Sequence, residues 1–165
     1  MKAIVAVDKN WGIGCNGKLL QRIPEDMNFF KEKTIGNVVV MGRETFDSLP
    51  GKIPLKDRIN IVLTKRTLIE DKGIITCNSM EKVLNDLEKF DDDSVYIIGG
   101  ESVYKQFLPL CKEVYVTKIE NKYVADKFFP DLDSDNNWKL TEESEEKEYK
   151  GIKYRFIKYL NKANS

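Results

Sequence analysis

The chain has 165 residues, of which 41% are hydrophobic and 33% are charged, a length and composition typical of one domain with its own core. Its 27 basic and 27 acidic residues give a formal net charge of zero, which argues against a nucleic-acid-binding protein. Because no apolar run is long enough for a membrane span and the first residues do not resemble a signal peptide, we expect a cytoplasmic protein without a membrane partner. We predict a single domain over residues 1–165.

Histidine is absent from the sequence. This excludes Ser-His-Asp and Cys-His catalysis and most zinc sites, so we predict no metal site. Cys15, Cys77 and Cys111 are widely spaced without a C-x-x-C motif, which is typical of free thiols in a reducing compartment. A catalytic proton must therefore come from a carboxylate, a lysine, a tyrosine, a thiol or water.

Short β-branched runs alternate with helical patterns along most of the chain. Several runs are apolar at successive positions, as expected for strands that are covered on both faces. This alternation predicts an α/β domain with a largely parallel sheet and helices on both faces. The predicted strands are 2–8, 38–41, 59–63, 74–77, 95–98 and 114–117, and the predicted helices are 25–34, 44–48, 79–89 and 101–108.

The first long segment without a helix or strand pattern runs from Asp8 to Ile23 and carries Gly12, Gly14 and Gly17. Loops of this length often act as lids over binding sites. An ordinary glycine-rich connector explains the pattern equally well.

Asp26 follows in the first turn of the helix that Pro24 opens. Helical spacing places Phe29 and Phe30 on its side of the helix, and a carboxylate beside such bulk needs a hydrogen-bond partner if it is buried. The alternative is that Asp26 simply stabilises the helix dipole, and this segment alone favours that interpretation.

Two glycine turns, one at Gly42 and one at Gly99-Gly100, each follow a predicted strand and precede a predicted helix. Their backbone N–H groups are suited to a phosphate, and glycine lets a ligand approach closely, although plain strand-to-helix turning explains each turn alone. Neither turn has the G-x-G-x-x-G or P-loop pattern. Leu63-Thr64-Lys65-Arg66 adds a hydroxyl and two cations at another strand end, where open α/β sheets bind nucleotides. A lysine–arginine pair in a loop is otherwise ordinary solvated surface.

The end of the chain has a different pattern. Residues 137–149 and 152–160 flank Lys150-Gly151 and predict an antiparallel hairpin at the sheet edge. The acidic stretch from Glu142 to Glu148 is either a binding tail or a solvated strand face, and the pattern favours the strand face.

Several short motifs, in their order and spacing, identify the chain as similar to the dihydrofolate reductase family, bacterial type, over essentially its whole length. The resemblance implies a three-layer α/β/α domain with an eight-stranded, mostly parallel sheet and an antiparallel C-terminal strand. The motifs are Ala6-Val7-Asp8, Gly12-Ile13-Gly14, Asn16-Gly17, Ile23-Pro24-Glu25-Asp26-Met27, Phe30-Lys31, Val40-Met41-Gly42-Arg43, Thr45-Phe46, Ser48-Leu49-Pro50, Arg58-Ile59-Asn60, Ile97-Ile98-Gly99-Gly100, Val103-Tyr104, Tyr115-Val116-Thr117 and Phe129-Pro130-Asp131.

The resemblance also implies an oxidoreductase that reduces 7,8-dihydrofolate to 5,6,7,8-tetrahydrofolate with NADPH, a step of tetrahydrofolate biosynthesis and one-carbon metabolism. Its partners would be dihydrofolate and antifolate inhibitors, and we expect a monomer. Hydride would pass to C6 while N5 receives a proton from water.

The resemblance assigns Asp26 and Thr117 as catalytic residues. Asp26 would hold the pterin through two hydrogen bonds and polarise it, and Thr117 would support this carboxylate. Arg58 would bind the glutamate carboxylate of the substrate through its planar fork. The implied substrate-binding residues are Ile4, Val5, Ala6, Asp26, Met27, Phe30, Leu49, Arg58, Ile98, Tyr104 and Thr117.

The 9–23 segment would close over the nicotinamide, and the glycine turns would take the pyrophosphate. Arg43, Thr64 and Lys65 match the positions expected around the adenosine 2′-phosphate. The implied NADPH-binding residues are Ala6, Ile13, Gly14, Gly17, Lys18, Leu19, Gly42, Arg43, Glu44, Thr45, Leu63, Thr64, Lys65, Ile98, Gly99, Gly100, Glu101, Ser102, Val103 and Tyr104.

The sequence departs from the family pattern at three places. Leu20-Gln21 replaces the common Pro-Trp, Glu44 stands where a basic or neutral residue is frequent, and Lys52 and Lys56 flank an insertion. Two other functions remain open at this point: the related-fold nicotinamide-dependent reductase of riboflavin synthesis, and a nucleotide-binding module without catalysis. Two features favour a pterin substrate over these alternatives: the helix that begins Pro24-Glu25-Asp26, and Arg58.

Overall fold

The structure is a computed structural model that describes residues 1–66 and 73–163. Its strands are β1 (Lys2–Val7), β2 (Gly12–Cys15), β3 (Lys18–Leu19), β4 (Val38–Gly42), β5 (Ile59–Leu63), β6 (Ile74–Cys77), β7 (Val95–Gly99), β8 (Glu113–Ile119), β9 (Lys127–Phe128), β10 (Trp138–Glu143), β11 (Lys147–Tyr149) and β12 (Ile152–Asn161). Its α-helices are α1 (Pro24–Thr34), α2 (Arg43–Ser48), α3 (Met80–Leu87) and α4 (Glu101–Phe107).

The main sheet has the strand order β10-β12-β8-β1-β7-β4-β5-β6, and β11 also pairs with β12. The strands from β8 to β6 are parallel to one another, whereas β12 is antiparallel to β8, β10 and β11. This confirms the predicted mostly parallel sheet with an antiparallel C-terminal strand.

Successive residues of the central strands belong to two core clusters on opposite faces of the sheet. In β4, Val38 and Val40 pack into the cluster that includes Val83 of α3 and Phe107 of α4. Val39 and Met41 pack instead into a cluster that includes Phe46 of α2 and is contacted by Phe29 and Phe30 of α1. Because side chains alternate across a strand, the continuous apolar run gives each face its own helix layer.

The starts of α1 and α3 follow from local chemistry. In α1, Pro24 lies at the start, Glu25 and Asp26 occupy the first turn, and the basic residues lie in the last turn, which suits the helix dipole. At α3 the Ser79 side chain accepts the N–H of Lys82 at 3.1 Å and caps the helix, so the helix begins where the sequence predicts. The predicted helix 79–89 is too long, because α3 ends at Leu87 and the chain then turns to pack Phe90 on the core.

The segment from Asp8 to Ile23 is not the irregular loop that the sequence predicts. It contains β2 and β3, which form a small antiparallel sheet with β9 in the order β3-β2-β9. Gly12 pairs with Phe128 and Gly14 with Lys127. Because the partner strand lies far along the chain, no local pattern signals this pairing.

The predicted C-terminal hairpin is present, with its turn at Lys150-Gly151, but its first arm is divided into β10 and β11. Glu143 and Glu146 both pair with Arg155 of β12, at 3.3 and 3.4 Å. These cross-strand ion pairs support a solvated strand face rather than a binding tail.

All three cysteines are free. Along the described part of the chain, no helix is long and apolar enough to cross a membrane. The single domain over 1–165 stays a prediction, and its residues 67–72 and 164–165 lie outside the described ranges.

Candidate active site

The carboxyl ends of β1, β4, β5 and β7 meet at one edge of the sheet and open into a cleft of about 540 Å³. Crevices at this edge are where open α/β sheets bind ligands, and the volume suits a small molecule. The small sheet covers another side of the cleft, because Ile13, Gly14, Lys18 and Leu19 line it. All of the residues that the sequence assigns to NADPH lie along this cleft, although their binding role stays a prediction.

The two glycine turns pack against each other's helices at the floor of the cleft. A Cβ at Gly99 would lie 3.3 Å from the Thr45 hydroxyl, and the φ of +131° at Gly99 favours glycine. A Cβ at Gly42 would lie 3.1 Å from Val103. The Gly99–Gly100 peptide bond is cis. Glycine therefore allows close packing at Gly42 and Gly99, and it allows the positive φ of Gly99.

Charged side chains of both signs line the cleft. Arg43 donates through Nε to both carboxylate oxygens of Asp47, at 3.1 and 3.2 Å. Glu101 accepts the backbone N–H of Phe128 at 2.6 Å and lies 3.7 Å from Lys105. Within the described ranges Glu44 has no ion pair or hydrogen bond, so its charge faces the cleft and solvent.

Asp26 lies half-buried in the first turn of α1 and accepts a hydrogen bond of 2.5 Å from the Thr117 hydroxyl of β8. Burial raises the pKa of Asp26, while the hydrogen bond from Thr117 opposes this shift. A carboxylate with a raised pKa in such a position is typical of functional sites. The structure thus brings together the two residues that the sequence assigns to catalysis, and their catalytic role stays a prediction.

The cleft and Asp26 are neighbours through the pairing of two strands. Ala6, which lines the cleft, pairs directly with Thr117 in the parallel ladder of β1 and β8. Tyr104, also at the cleft, is buried and donates its hydroxyl to the carbonyl of Ile4 at 2.7 Å. Burial raises the pKa of Tyr104, and the negative charge of Asp26 raises it further. The two side chains therefore interact electrostatically.

The apolar side chains that the resemblance assigns to substrate binding are partly assembled. Ile4, Phe30, Leu49 and Ile98 belong to one cluster of buried and half-buried side chains. Val5 is buried and lines the cleft. The Met27 side chain, in contrast, is 46% exposed and free to contact a ligand.

Arg58 is held by local contacts just before β5. Its Nε donates to the carbonyl of Lys56 at 2.9 Å, and its Nη1 donates to the Thr34 hydroxyl at 3.3 Å. Burial lowers the pKa of Arg58, which nevertheless stays a cation at any physiological pH. The guanidinium is therefore oriented before any ligand arrives.

Gln21, which replaces the family's common tryptophan, has protein partners for its amide. Its carbonyl accepts the Tyr123 hydroxyl at 3.1 Å, and its Nε2 donates to the carbonyl of Arg22 at 3.3 Å. The residue thus joins the segment after β3 to the segment after β8.

Sequence reasoning missed several cleft residues. Asn78, Ser79 and Met80 follow β6, so the rule that carboxyl ends share one sheet edge could have found them. No local signal points to Lys127, because only the pairing of β9 with β2 brings it there. The remaining missed cleft residues are Cys15, Ser48 and Gln106. Among the described residues, no group of three or more Cys, Asp or Glu could hold a metal ion.

A family model described as dihydrofolate reductase matches residues 1–161. The chain belongs to the dihydrofolate reductase family. Dihydrofolate reductase of Bacillus subtilis is 34% identical over 98% of this chain and 95% of its own length. That of Drosophila melanogaster is 39% identical over 77% of each chain.

A solved structure gives the same result. Dihydrofolate reductase from Enterococcus faecalis, complexed with NADP(H) and RAB-propyl, superposes with a TM-score of 0.85 at 34% identity and covers 97% of this chain and 95% of that chain. The recognised family, the predicted fold class and the assignment as an oxidoreductase are thereby confirmed. The family assignment decides against the reductase of riboflavin synthesis and the non-catalytic module.

Proposed function

We propose that this protein reduces 7,8-dihydrofolate to 5,6,7,8-tetrahydrofolate with NADPH, and that Asp26 orients and polarises the pterin. The observation that carries the proposal is the 2.5 Å hydrogen bond between Thr117 and Asp26. This pair lies next to the cleft, because Thr117 pairs across the sheet with Ala6, which lines the cleft. NADPH is the cofactor of this family, and a relative binds NADP(H).

The cleft fits such a cofactor in shape and chemistry. Gly42 and Gly99 let the two turns beside the cleft pack closely, since a Cβ at either position would crowd Val103 or Thr45. Arg43 and Lys65 supply cations for a 2′-phosphate, and the outer nitrogens of Arg43 are not used by its contact with Asp47. In this proposal the backbone at Gly99-Gly100 and the start of α4 receive the pyrophosphate.

Asp26 has the right geometry to orient a pterin. Its Oδ1 is held by Thr117, which fixes the plane of the carboxylate. The lone pairs left on the two oxygens can accept the amide N–H and the exocyclic amino group of the ring. The cluster around Ile4 and Phe30 contacts the faces of the ring, and the oriented fork of Arg58 binds the glutamate carboxylate of the substrate.

Bound NADPH supplies the hydride that passes to C6. The proton for N5 comes from water, because the sequence contains no imidazole and Asp26 is already committed to the pterin edge. The negative charge of Asp26 favours protonation at N5 without donating the proton itself. The small sheet that contains β2 and β3 excludes bulk water from the nicotinamide end of the cleft.

The decisive assay follows the loss of the NADPH absorbance band when dihydrofolate is added to the purified protein. We expect turnover and formation of tetrahydrofolate. Cofactor binding without turnover of dihydrofolate would reject the proposal.

Three finer expectations belong to the same proposal. Antifolates compete with dihydrofolate for the edge of Asp26, which a competition assay tests. The protein acts as a monomer, which sedimentation tests. It resides in the cytoplasm, which cell fractionation tests.

A further inference from the structure

The carboxylate next to Asp26, that of Glu25, contacts two side chains from a distant part of the chain. Among the described residues, no side chain caps the helix at Ile23. Instead, Glu25 accepts the Tyr154 hydroxyl through Oε2 at 2.7 Å and lies 3.1 Å from the Lys147 ammonium through Oε1. Both partners come from the C-terminal hairpin, so the hairpin contacts the turn that carries Asp26.

Asp26 and Glu25 are therefore held by neighbouring strands of one sheet. Thr117 of β8, which binds Asp26, stands opposite Phe156 of β12, and Tyr154 lies two residues along β12 from Phe156. Residues two apart on a strand face the same side. The two hydrogen bonds thus leave the same face of the sheet and meet consecutive residues of α1.

Tyr154 is built into this position. Its side chain is 2% exposed and packs in a cluster with Ile23, the residue that precedes α1, and with Ile119. Its ring also meets that of Phe156 edge-to-face at 5.7 Å. The hydroxyl is consequently aimed at Glu25 by buried packing, whereas the Glu25 side chain itself is half exposed.

We propose that Tyr154 and Lys147 are positioning residues for Asp26: by holding the Glu25 carboxylate they fix the first turn of α1 and offset the charge of Glu25. The proposal rests on the proposed function of Asp26. It assigns a role to a part of the hairpin that lies outside both ligand sites.

The electrostatic part of the proposal concerns every group that faces Asp26. Glu25 is on the same helix turn, Thr117 comes from β8, Tyr104 from α4 and Tyr154 from β12, while Lys147 of β11 acts through Glu25. The hydrogen bonds from Tyr154 and Lys147 lower the pKa of Glu25, so Glu25 is ionised when the enzyme works. Without these partners its bare charge would raise the pKa of Asp26 further.

The test uses three single variants and two matched controls. Tyr154→Phe removes only the hydroxyl, Lys147→Met removes only the cation, and Glu25→Gln keeps an acceptor for Tyr154 while removing the charge. Tyr149→Phe and Lys139→Met are the controls, because in the described ranges neither polar group has a hydrogen bond or ion pair.

For Tyr154→Phe and Lys147→Met we expect kcat/KM for dihydrofolate to fall about tenfold, because small displacements of a catalytic group are costly. The KM for NADPH should stay within about twofold of the wild-type value, because the cofactor cleft is not touched. The apparent pKa of the pH profile should move upward in both variants. In Glu25→Gln it should move downward, and adding Glu25→Gln to Lys147→Met should restore the profile.

A pH titration of the Asp26 carboxyl carbon by NMR gives a second measure that needs no turnover. If Tyr154→Phe and Lys147→Met fold and both leave kcat/KM and the Asp26 titration unchanged, the proposal is overturned. Equal changes in the controls would also overturn it. If instead the wild-type protein fails to reduce dihydrofolate, the proposed function fails, while the NMR titration still decides whether the hairpin positions Asp26.

Discussion

The cleft and the surroundings of Asp26 are built in different ways. The cleft is lined by many residues from five strand ends, three helix starts and the small sheet, with glycines at its floor. Asp26, in contrast, depends on one short hydrogen bond from Thr117 and on burial. The cleft therefore offers a ligand many separate contacts, whereas the surroundings of Asp26 offer one charged side chain.

This difference has a physical reason. A large ligand such as a dinucleotide offers many weak contacts, each worth little by itself. Orientation and polarisation of one ring edge need a charge at one defined place. Single substitutions should therefore have large effects near Asp26 and small effects along the cleft.

The sharpest test of this comparison is Asp26→Asn. Asparagine keeps the acceptor for the Thr117 hydroxyl but offers the pterin one acceptor and one donor, and it removes the charge. We expect kcat at pH 7 to fall roughly 10²-fold or more. Activity should recover partly at low pH, where the substrate is already protonated. Turnover near the wild-type value at pH 7 would reject the assignment.

The same variant should change stability in the opposite direction. Burial raises the pKa of Asp26 above 3.8 in the folded state, so the folded protein binds this proton more tightly than the unfolded chain does. The stabilisation that results is complete below pH 3.8 and is lost as pH rises through the folded-state pKa. Asp26→Asn should therefore unfold at a higher temperature than the wild type at pH 7, and the gap should narrow toward pH 4. Thermal unfolding at both pH values measures this; a destabilised variant at pH 7 would contradict it.

Arg58→Ala should produce the next largest effect. Loss of a charge-assisted contact with the glutamate carboxylate is worth about 1.5–3 kcal/mol, so we expect the KM for dihydrofolate to rise about tenfold or more. The KM for NADPH should change little. Arg58→Lys is the control, and it should not restore the wild-type KM because lysine lacks the planar fork.

Arg43→Ala should act on the other ligand and more weakly. Arg43 already pairs with Asp47, so the KM for NADPH should rise about threefold to tenfold, at the lower end for a charged contact. The KM for dihydrofolate should stay constant. If Arg43→Ala and Arg58→Ala shift the same KM, the placement of the two ligands is wrong.

Glu44→Gln should have the smallest effect. Within the described residues Glu44 has no ion pair, so its carboxylate would repel a 2′-phosphate bound beside it; an exposed charge interaction of this kind is worth about 0.2–1 kcal/mol. We expect NADPH to bind a few-fold more tightly at low salt, NADH to be unaffected, and the gain to shrink as salt screens the charge. Dissociation constants of both cofactors at two salt concentrations test this. Equal changes for NADH and NADPH would refute the contact.

Sequence reasoning works best where a pattern is local. The apolar runs of β4 and β7 predict buried parallel strands, and Ser79 predicts the start of α3. The glycine turns predict where the cleft lies, because the carboxyl ends of parallel strands share one edge. The wrong expectation, an irregular segment from Asp8 to Ile23, falls where the partner strand is remote.

The sequence by itself thus determined the α/β class, the family motifs and most of the residues that line the cleft. The family resemblance already implied the pair of Thr117 and Asp26, and the tertiary structure gave its geometry. Only the tertiary structure decided that Glu25 accepts the Tyr154 hydroxyl and that Glu101 accepts the backbone N–H of Phe128. The reason is physical. Periodicity and turn chemistry act over a few residues, whereas a hydrogen bond between distant side chains depends on strand register and helix packing, which only the assembled sheet establishes.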